Sequence, residues 1–185
     1  MLVGLLGLQG AFLDHIPHLD RCGATPVVVR DIQGLSRVDR LIIPGGESTV
    51  MTKFMVEFGM LEPLRARINS GMPVWGVCAG AILLAEQVDG KSGVLGVLSA
   101  QLTRNAYGRQ IASDAISIRV PVLGLENYPA IFIRAPRIDT LDPSVTVHAR
   151  REIDPVFVQE GNVIATTFHP ELNSDDFFHR YFLDL

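Results

Sequence analysis

Pro73-Val74-Trp75-Gly76-Val77-Cys78-Ala79-Gly80-Ala81-Ile82-Leu83-Leu84-Ala85 is the stretch whose reading decides the fold. Its first half is a short apolar run, the pattern of a strand buried on both faces. The run meets Gly-x-Cys-x-Gly, and helical spacing of apolar residues follows at once. A strand that turns into a helix within one residue needs a tight, strained bend. Gly76 and Gly80 let neighbouring backbones approach where a Cβ would clash. Such a bend holds the Cys78 sulfur at the end of the sheet, beside the free N–H groups of a helix start. Those groups and the helix dipole favour thiolate over thiol. An ordinary free cysteine is a small buried hydrophobe, but the flanking glycines and the strand-to-helix switch make Cys78 a candidate nucleophile.

Working outward, the same strand–turn–helix rhythm precedes this bend. Residues 2–8 form a near-continuous apolar run, a first central strand ending at Gln9-Gly10. Residues 11–22 show helical spacing through Phe12, Ile16 and Leu19. Pro17 falls inside that pattern, so the helix either starts late, with Pro17 in its first turn, or kinks there. His15 and His18 on this segment read as solvent-facing, and Cys22, before a helix-stopping Gly23, as structural. Residues 26–30 are a β-branched second strand. Residues 40–43 are a third, broken by Pro44-Gly45-Gly46-Glu47-Ser48-Thr49, with a helix from about Ser48 and another over 62–69. Such alternation implies right-handed crossovers and a parallel sheet with helices on both faces.

The second half changes character. Residues 94–103, 115–120, 131–133, 145–149, 155–159 and 163–167 read as short strands with few helices between them, so antiparallel pairing is expected. Residues 174–184 read as a C-terminal helix, capped by Ser174 with Asp175 and Asp176 in its first turn. The expectation is one α/β domain over residues 1–185, an open, mixed, mostly parallel sheet with helices on both faces.

Composition narrows the class. The 185-residue chain is 48% hydrophobic and 19% charged with a net charge of −4, an ordinary globular balance with no basic cluster to hold nucleic acid. Two cysteines, Cys22 and Cys78, suit a reduced interior better than a disulfide scaffold. Residues 1–9 are apolar, lack a basic leader and are too short to span a bilayer. A cytoplasmic protein without a membrane segment is expected.

A cysteine nucleophile needs a base, and the base an orienting partner. Thr166-Thr167-Phe168-His169-Pro170-Glu171 follows the last expected strand, where active residues of open α/β sheets gather. Pro170 favours extension at His169, and in extended backbone residues i and i+2 project to one side. His169 and Glu171 therefore lie side by side. The carboxylate fixes the tautomer, and the other ring nitrogen is free to take the Cys78 proton. Attack on an acyl carbon also needs fixed donors for the oxyanion. The Ala79 N–H supplies one by position, and the Gly45-Gly46 loop is the kind that supplies the other.

Gly76-Val77-Cys78-Ala79-Gly80 with a distant His169-Pro170-Glu171 resembles the class I (triad) glutamine amidotransferases. Leu6-Gly7-Leu8-Gln9-Gly10-Ala11, Pro44-Gly45-Gly46-Glu47-Ser48-Thr49, Arg104-Asn105-Ala106-Tyr107-Gly108-Arg109-Gln110, Phe132-Ile133-Arg134-Ala135-Pro136 and Ala165-Thr166-Thr167-Phe168-His169-Pro170-Glu171-Leu172 narrow the likeness to the glutaminase subunits of pyridoxal 5′-phosphate synthase. The resemblance covers nearly the whole chain. It implies a flavodoxin-like fold and hydrolysis of L-glutamine to L-glutamate and ammonia through a thioester on Cys78. His169 is then base and acid, and Glu171 the orienting carboxylate. It implies glutamine contacts at Gly46, Glu47, Ser48, Arg104, Ile133 and Arg134, and an oxyanion hole from Gly46 and Ala79. Gln9 is implied to couple the site to the partner. That partner is the synthase subunit PdxS, in a large ring-shaped assembly. No metal or organic cofactor is implied. Two rival readings stand beside it: a DJ-1/PfpI-type cysteine hydrolase or stress protein on a related sheet, and a non-catalytic docking subunit.

Overall fold

A computed structural model describes residues 1–107 and 114–185; Gly108, Arg109 and Gln110 of the Arg-Asn-Ala-Tyr-Gly-Arg-Gln stretch lie outside the described residues. The chain opens with strand β1 (Leu2–Leu6), a 3-10 turn (Phe12–His15) and helix α1 (Ile16–Arg21). There follow β2 (Thr25–Val29), α2 (Ile32–Ser36), β3 (Arg40–Ile43), α3 (Ser48–Glu57) and α4 (Leu61–Asn69). Then come β4 (Val74–Val77) and α5 (Ala79–Leu84), joined at Cys78. The second half holds β5 (Ala85–Val88), β6 (Lys91–Ser92), β7 (Leu98–Thr103), β8 (Asp114–Val120) and β9 (Leu125–Phe132). It continues through β10 (Arg137–Leu141), β11 (Thr146–Arg151), β12 (Asp154–Glu160) and β13 (Val163–Thr166) to α6 (Phe177–Leu183).

Nine strands form one sheet in the order β2-β1-β3-β4-β13-β12-β11-β8-β9. The β2, β1, β3, β4 and β13 neighbours are parallel, and the pairs from β13 to β9 are antiparallel. A second sheet has the order β10-β7-β5-β6, and its Leu98, Leu102 and Ile138 share a core with β3, β4 and β13. The site depends on one topological fact. The last strand, β13, inserts beside β4, with Thr166 level with Val77. The Cys78 N–H donates to the Thr166 carbonyl at 2.7 Å. Two stretches distant in sequence therefore end side by side at the carboxyl edge of the sheet, where open α/β folds place their ligands.

The central strands are apolar on both faces because both are covered. Leu41 and Ile43 of β3, Val74 of β4 and Val163 and Ala165 of β13 enter one core, on one side of the sheet. Ile42, Trp75, Val77 and Ile164 enter the other core. The period of two sorts neighbours onto opposite faces. Each fully buried aliphatic chain stabilises the fold by roughly 1.5–3 kcal/mol over leaving it exposed.

The bend at Cys78 is strained as the sequence implies, with φ 50° and ψ −98°. Backbone in such a region costs on the order of 1–3 kcal/mol and persists only where its surroundings fix it. Gly80 shows how it is fixed: a Cβ there would stand 2.1 Å from the Ile43 carbonyl oxygen, and one on Gly76 would stand 2.6 Å from the Gly80 carbonyl carbon. The first turn of α5 thus rests directly on the backbones of β3 and β4.

The structure departs from the sequence reading in several places, among them α2, which was not expected, and β9, which begins at Leu125 where the reading had a strand over 131–133. β5, β6 and β10 were not expected, and the strand read over 94–103 begins only at Leu98. These strands belong to the small second sheet, where β5 and β6 are very short and β10 pairs with the distant β7, so local signals are weak. α6 begins at Phe177, and Ser174 does not cap it; Asp175 Oδ1 accepts the Phe177 N–H at 3.2 Å instead. Of the two readings offered for the first helix, the structure has the late start, with Pro17 in the first turn of α1, where a missing N–H costs nothing. His15 and His18 are not solvent-facing but buried. His15 packs edge-on against Trp75, and His18 stacks on His179 at 4.3 Å. His18 tolerates burial because its ring nitrogens meet Asp176 Oδ1 and the Glu171 carbonyl, and His15 shares a hydrogen bond with His179.

Candidate active site

A cavity of about 240 Å³ opens at the carboxyl ends of β3, β4 and β9. Nine residues singled out in the sequence line it: Gly46, Glu47, Ser48, Cys78, Ala79, Arg104, Ile133, Arg134 and His169. Glu171 and Gln9 stand behind the lining, each hydrogen-bonded to a part of it. Ala11, Gly45, Ile82 and Asn105 complete the wall. None of the four was assigned a site role of its own, although all lie inside stretches quoted from the sequence and Gly45 belongs to the loop expected to supply an oxyanion donor.

His169 is placed by its own backbone, whose N–H donates to the Ile131 carbonyl at 2.9 Å. Its φ of −110° and ψ of 85° avoid the helical region, as a following proline requires, but fall short of the full extension expected from the sequence. Pro170–Leu172 is a 3-10 turn rather than a continuing strand, because proline suits a first helical position. The turn folds the Glu171 carboxylate back onto the ring, and His169 Nδ1–H donates to Glu171 Oε1 at 2.7 Å. The tautomer is thereby fixed, leaving Nε2 for the cavity.

The electrostatics follow from these contacts. Burial alone would lower the His169 pKa, but the Cys78 side chain and the Glu171 carboxylate raise it, to about 10. Burial pushes the Glu171 carboxyl up, yet its His169 hydrogen bond and the nearby imidazoles hold it below the usual carboxylate value. The Cys78 sulfur lies 3.8 Å from the Ile133 carbonyl oxygen. The amino ends of α3 and α5 both face the cavity, a polarity that favours negative charge there.

The glycine loop is held from outside. Ala11 N–H donates to the Gly45 carbonyl at 3.0 Å, and Glu47 N–H to Gln9 Oε1 at 2.7 Å. A Cβ on Gly10, at φ +100°, would lie 2.1 Å from the Gly45 oxygen. A Cβ on Gly45 would press to 2.4 Å on His169 Cε1. Arg104 is oriented by Asp89, whose Oδ2 accepts from its Nε at 2.6 Å while Oδ1 accepts its backbone N–H at 3.0 Å. Nothing in the local pattern marked Asp89. Arg134 and Asn105 take left-handed φ values of 44° and 48° at the cavity rim, backbone that non-glycine residues rarely adopt.

Behind Glu171 lies a cluster of buried imidazoles. His15 Nδ1 and His179 Nε2 are 2.9 Å apart, and His18 Nε2–H donates to the Glu171 carbonyl at 3.1 Å. Burial lowers the His15 pKa to about 4 and lowers that of His179 as well. Both groups have pKa values near 6.5 when unfolded. Between pH 6.5 and 4 the unfolded chain therefore binds more protons than the folded one, and stability falls with falling pH. Each of the two histidines contributes a slope of up to about 1.4 kcal/mol per pH unit. In that window His169, whose pKa is raised, adds no slope: its contribution is complete below 6.5 and is lost only as pH rises through about 10. Urea unfolding midpoints should drop steadily from pH 6.5 to 4.5 in the wild type. The drop should be shallower in His179→Phe; an equal drop in both would remove the histidines as its cause.

Among the described residues no group of three or more His, Cys, Asp and Glu side chains is disposed to hold a metal, and no helix is long and apolar enough to cross a membrane. The chain matches the SNO glutamine amidotransferase family over residues 5–185. It is 46% identical over 186 residues to the pyridoxal 5′-phosphate synthase subunit PdxT of Thermotoga neapolitana, covering 100% of this chain and 99% of that protein. It is 47% identical over 189 residues to the subunit of the same name from Roseiflexus castenholzii, covering 100% of each. A solved structure described as a glutamine amidotransferase superposes with a TM-score of 0.92 at 42% identity, covering 98% of this chain and 97% of that one.

Proposed function

The chain belongs to the SNO glutamine amidotransferase family, and from that premise we propose how its residues carry out the glutaminase reaction of pyridoxal 5′-phosphate synthase. It hydrolyses L-glutamine to L-glutamate and ammonia. With the shared proton already on His169 Nε2, whose pKa is raised to about 10, Cys78 Sγ attacks the side-chain amide carbon. The oxyanion takes hydrogen bonds from the Ala79 N–H and the Gly46 N–H. His169 then protonates the leaving nitrogen, and ammonia departs from a glutamyl thioester. Water attacks the thioester, giving a proton to His169, and collapse returns that proton to sulfur as glutamate leaves. Throughout, Glu171 holds the Nδ1–H and stabilises the imidazolium. Glu47, Ser48, Arg104, Ile133 and Arg134 bind the amino-acid end of glutamine, an arginine clamping its carboxylate.

One observation carries this reading. β13 lies beside β4, so the His169–Glu171 pair and the strained Cys78 bend share one cavity. The full-length likeness to PdxT subunits favours it over a PfpI-type hydrolase. The intact set of three groups favours it over a docking-only role. A single glutaminase domain over residues 1–185, working in the cytoplasm on a ring-shaped synthase core, completes the proposal. The direct test is ammonia release from L-glutamine by the chain with its synthase subunit. No release above the buffer rate would refute the reading.

Activity should depend on the synthase subunit. The second oxyanion donor belongs to a glycine loop that the Gln9–Ala11 turn holds at Gly45 and Glu47. A partner that moves this turn moves the donor. One missing donor costs about 3 kcal/mol of transition-state stabilisation, roughly a hundredfold in rate. A partner that binds only the productive loop shifts its population by its differential affinity. Titrating the synthase subunit should raise glutaminase kcat by roughly tenfold to a hundredfold, and Gln9→Ala should blunt that rise. A lone chain that is fully active and indifferent to saturating partner sinks the coupling while leaving the triad untouched.

A further inference from the structure

We propose that His15 is a positioning residue of the triad: its Nε2–H is the donor to Glu171 Oε2 through one bridging water. The inference rests on the glutaminase reading for its kinetic test, but its structural grounds are independent of that reading. Glu171 gives one carboxylate oxygen, Oε1, to His169. Its other oxygen, Oε2, is buried with no hydrogen-bond partner, and so is His15 Nε2. A buried orphan on a charged group is costly, and two together call for an explanation. The two atoms belong to adjoining elements, because the 3-10 turn ending at His15 packs against the 3-10 turn holding Glu171. His15 is completely buried between Trp75 and His179.

The tautomer decides which way the hydrogen bonds run. Between His15 Nδ1 and His179 Nε2, 2.9 Å apart, one nitrogen donates and the other accepts. Burial keeps His15 neutral, so it carries a single N–H. If that proton sat on Nδ1, a bare lone pair at Nε2 would share an apolar interior with a carboxylate oxygen that also needs a donor. With the proton on Nε2, His179 Nε2–H donates to His15 Nδ1 and His15 donates onward. Both orphans are then matched. The same carboxyl residue is pinned a second time by His18, which donates to its backbone carbonyl. The line Cys78–His169–Glu171 thus extends to His15 and His179, and the carboxylate is held against rotation away from the imidazole, as supporting shells hold catalytic groups elsewhere.

Two measurements test this. In the wild-type chain, long-range ¹H–¹⁵N correlation of the histidine rings should show the Nε2–H tautomer at His15; the Nδ1–H tautomer overturns the proposal. In the complex with the synthase subunit, His15→Phe fills the volume without a donor, and His15→Gln keeps an N–H. We expect His15→Phe to lower kcat roughly tenfold to a hundredfold, the scale of one hydrogen bond to a charged group, with KM nearly unchanged. His15→Gln should recover much of the loss. Equal impairment of both variants, or a wild-type kcat in His15→Phe, overturns it. A His15→Phe chain that fails to fold leaves the decision to the tautomer, which needs no variant. Absence of glutaminase activity in the wild type would count against the glutaminase reading, and the tautomer would still judge His15.

Discussion

Cys78→Ala abolishes glutamine hydrolysis, with kcat falling by at least about ten-thousandfold, the scale seen when one member of a concerted catalytic set is removed. The change deletes the attacking atom and little volume. The fold should survive, because the strained bend is held by Gly76 and Gly80 packing on backbone and by the Cys78 N–H on Thr166, none of which involves sulfur. Alanine at φ 50° keeps the strain that cysteine already bears, so the thermal midpoint should move by only a few degrees. Cys22→Ala supplies the contrast: Cys22 ends α1 and is not part of the cavity lining, and its loss should leave turnover near wild type. Ammonia release and mass spectrometry of a trapped glutamyl thioester read both variants. Thioester on Cys22, or turnover by Cys78→Ala, would reverse the roles assigned to the two cysteines.

What the sequence disclosed and what it hid follow from the range of the interactions. The bend at Cys78 was legible because its requirements are local: two glycines, an apolar strand before and an apolar helix after. β3 and the start of α3 were legible for the same reason, as Pro44-Gly45-Gly46 interrupts one period and starts another. The pairing of β13 with β4 was not legible from pattern alone, since a strand near the end of the chain carries no local mark of its neighbour. The small sheet of β5, β6, β7 and β10 escaped because its strands are short and paired mainly with one another. The histidine cluster escaped for a different reason. A histidine on a helix reads as polar, and only the tertiary arrangement that brings His15, His18 and His179 against one another beneath Trp75 makes burial affordable. Asp89 escaped likewise, because a carboxylate in a turn is ordinary until Arg104 is seen against it.

His169→Ala should be nearly as damaging as loss of the thiol, again about ten-thousandfold in kcat, because without Nε2 neither the attack nor the departure of ammonia has a proton carrier. Combined with Cys78→Ala it should add little, since groups that act as one unit are not additive. Glu171→Gln should cost less, roughly a hundredfold to a thousandfold, below the loss of a whole triad member. The amide keeps the shape and can still accept from Nδ1–H through its oxygen, but it surrenders the charge that stabilises the imidazolium. The pH dependence carries the sharper signature. Glu171 is one of the two groups that raise the His169 pKa to about 10, so in the wild type His169 keeps its proton until pH rises through that value. Removing the carboxylate charge lowers that pKa, and the alkaline limb of kcat should move to lower pH in Glu171→Gln. At the acid end, Glu171 is held below the ordinary carboxylate value, so the wild type should retain its charged partner through weakly acidic pH. An alkaline limb in the same place for both proteins, measured on the complex with its synthase subunit, would mean that Glu171 orients the ring without stabilising its charge, and the account of the imidazolium given above would fall while the assignment of Cys78 stood.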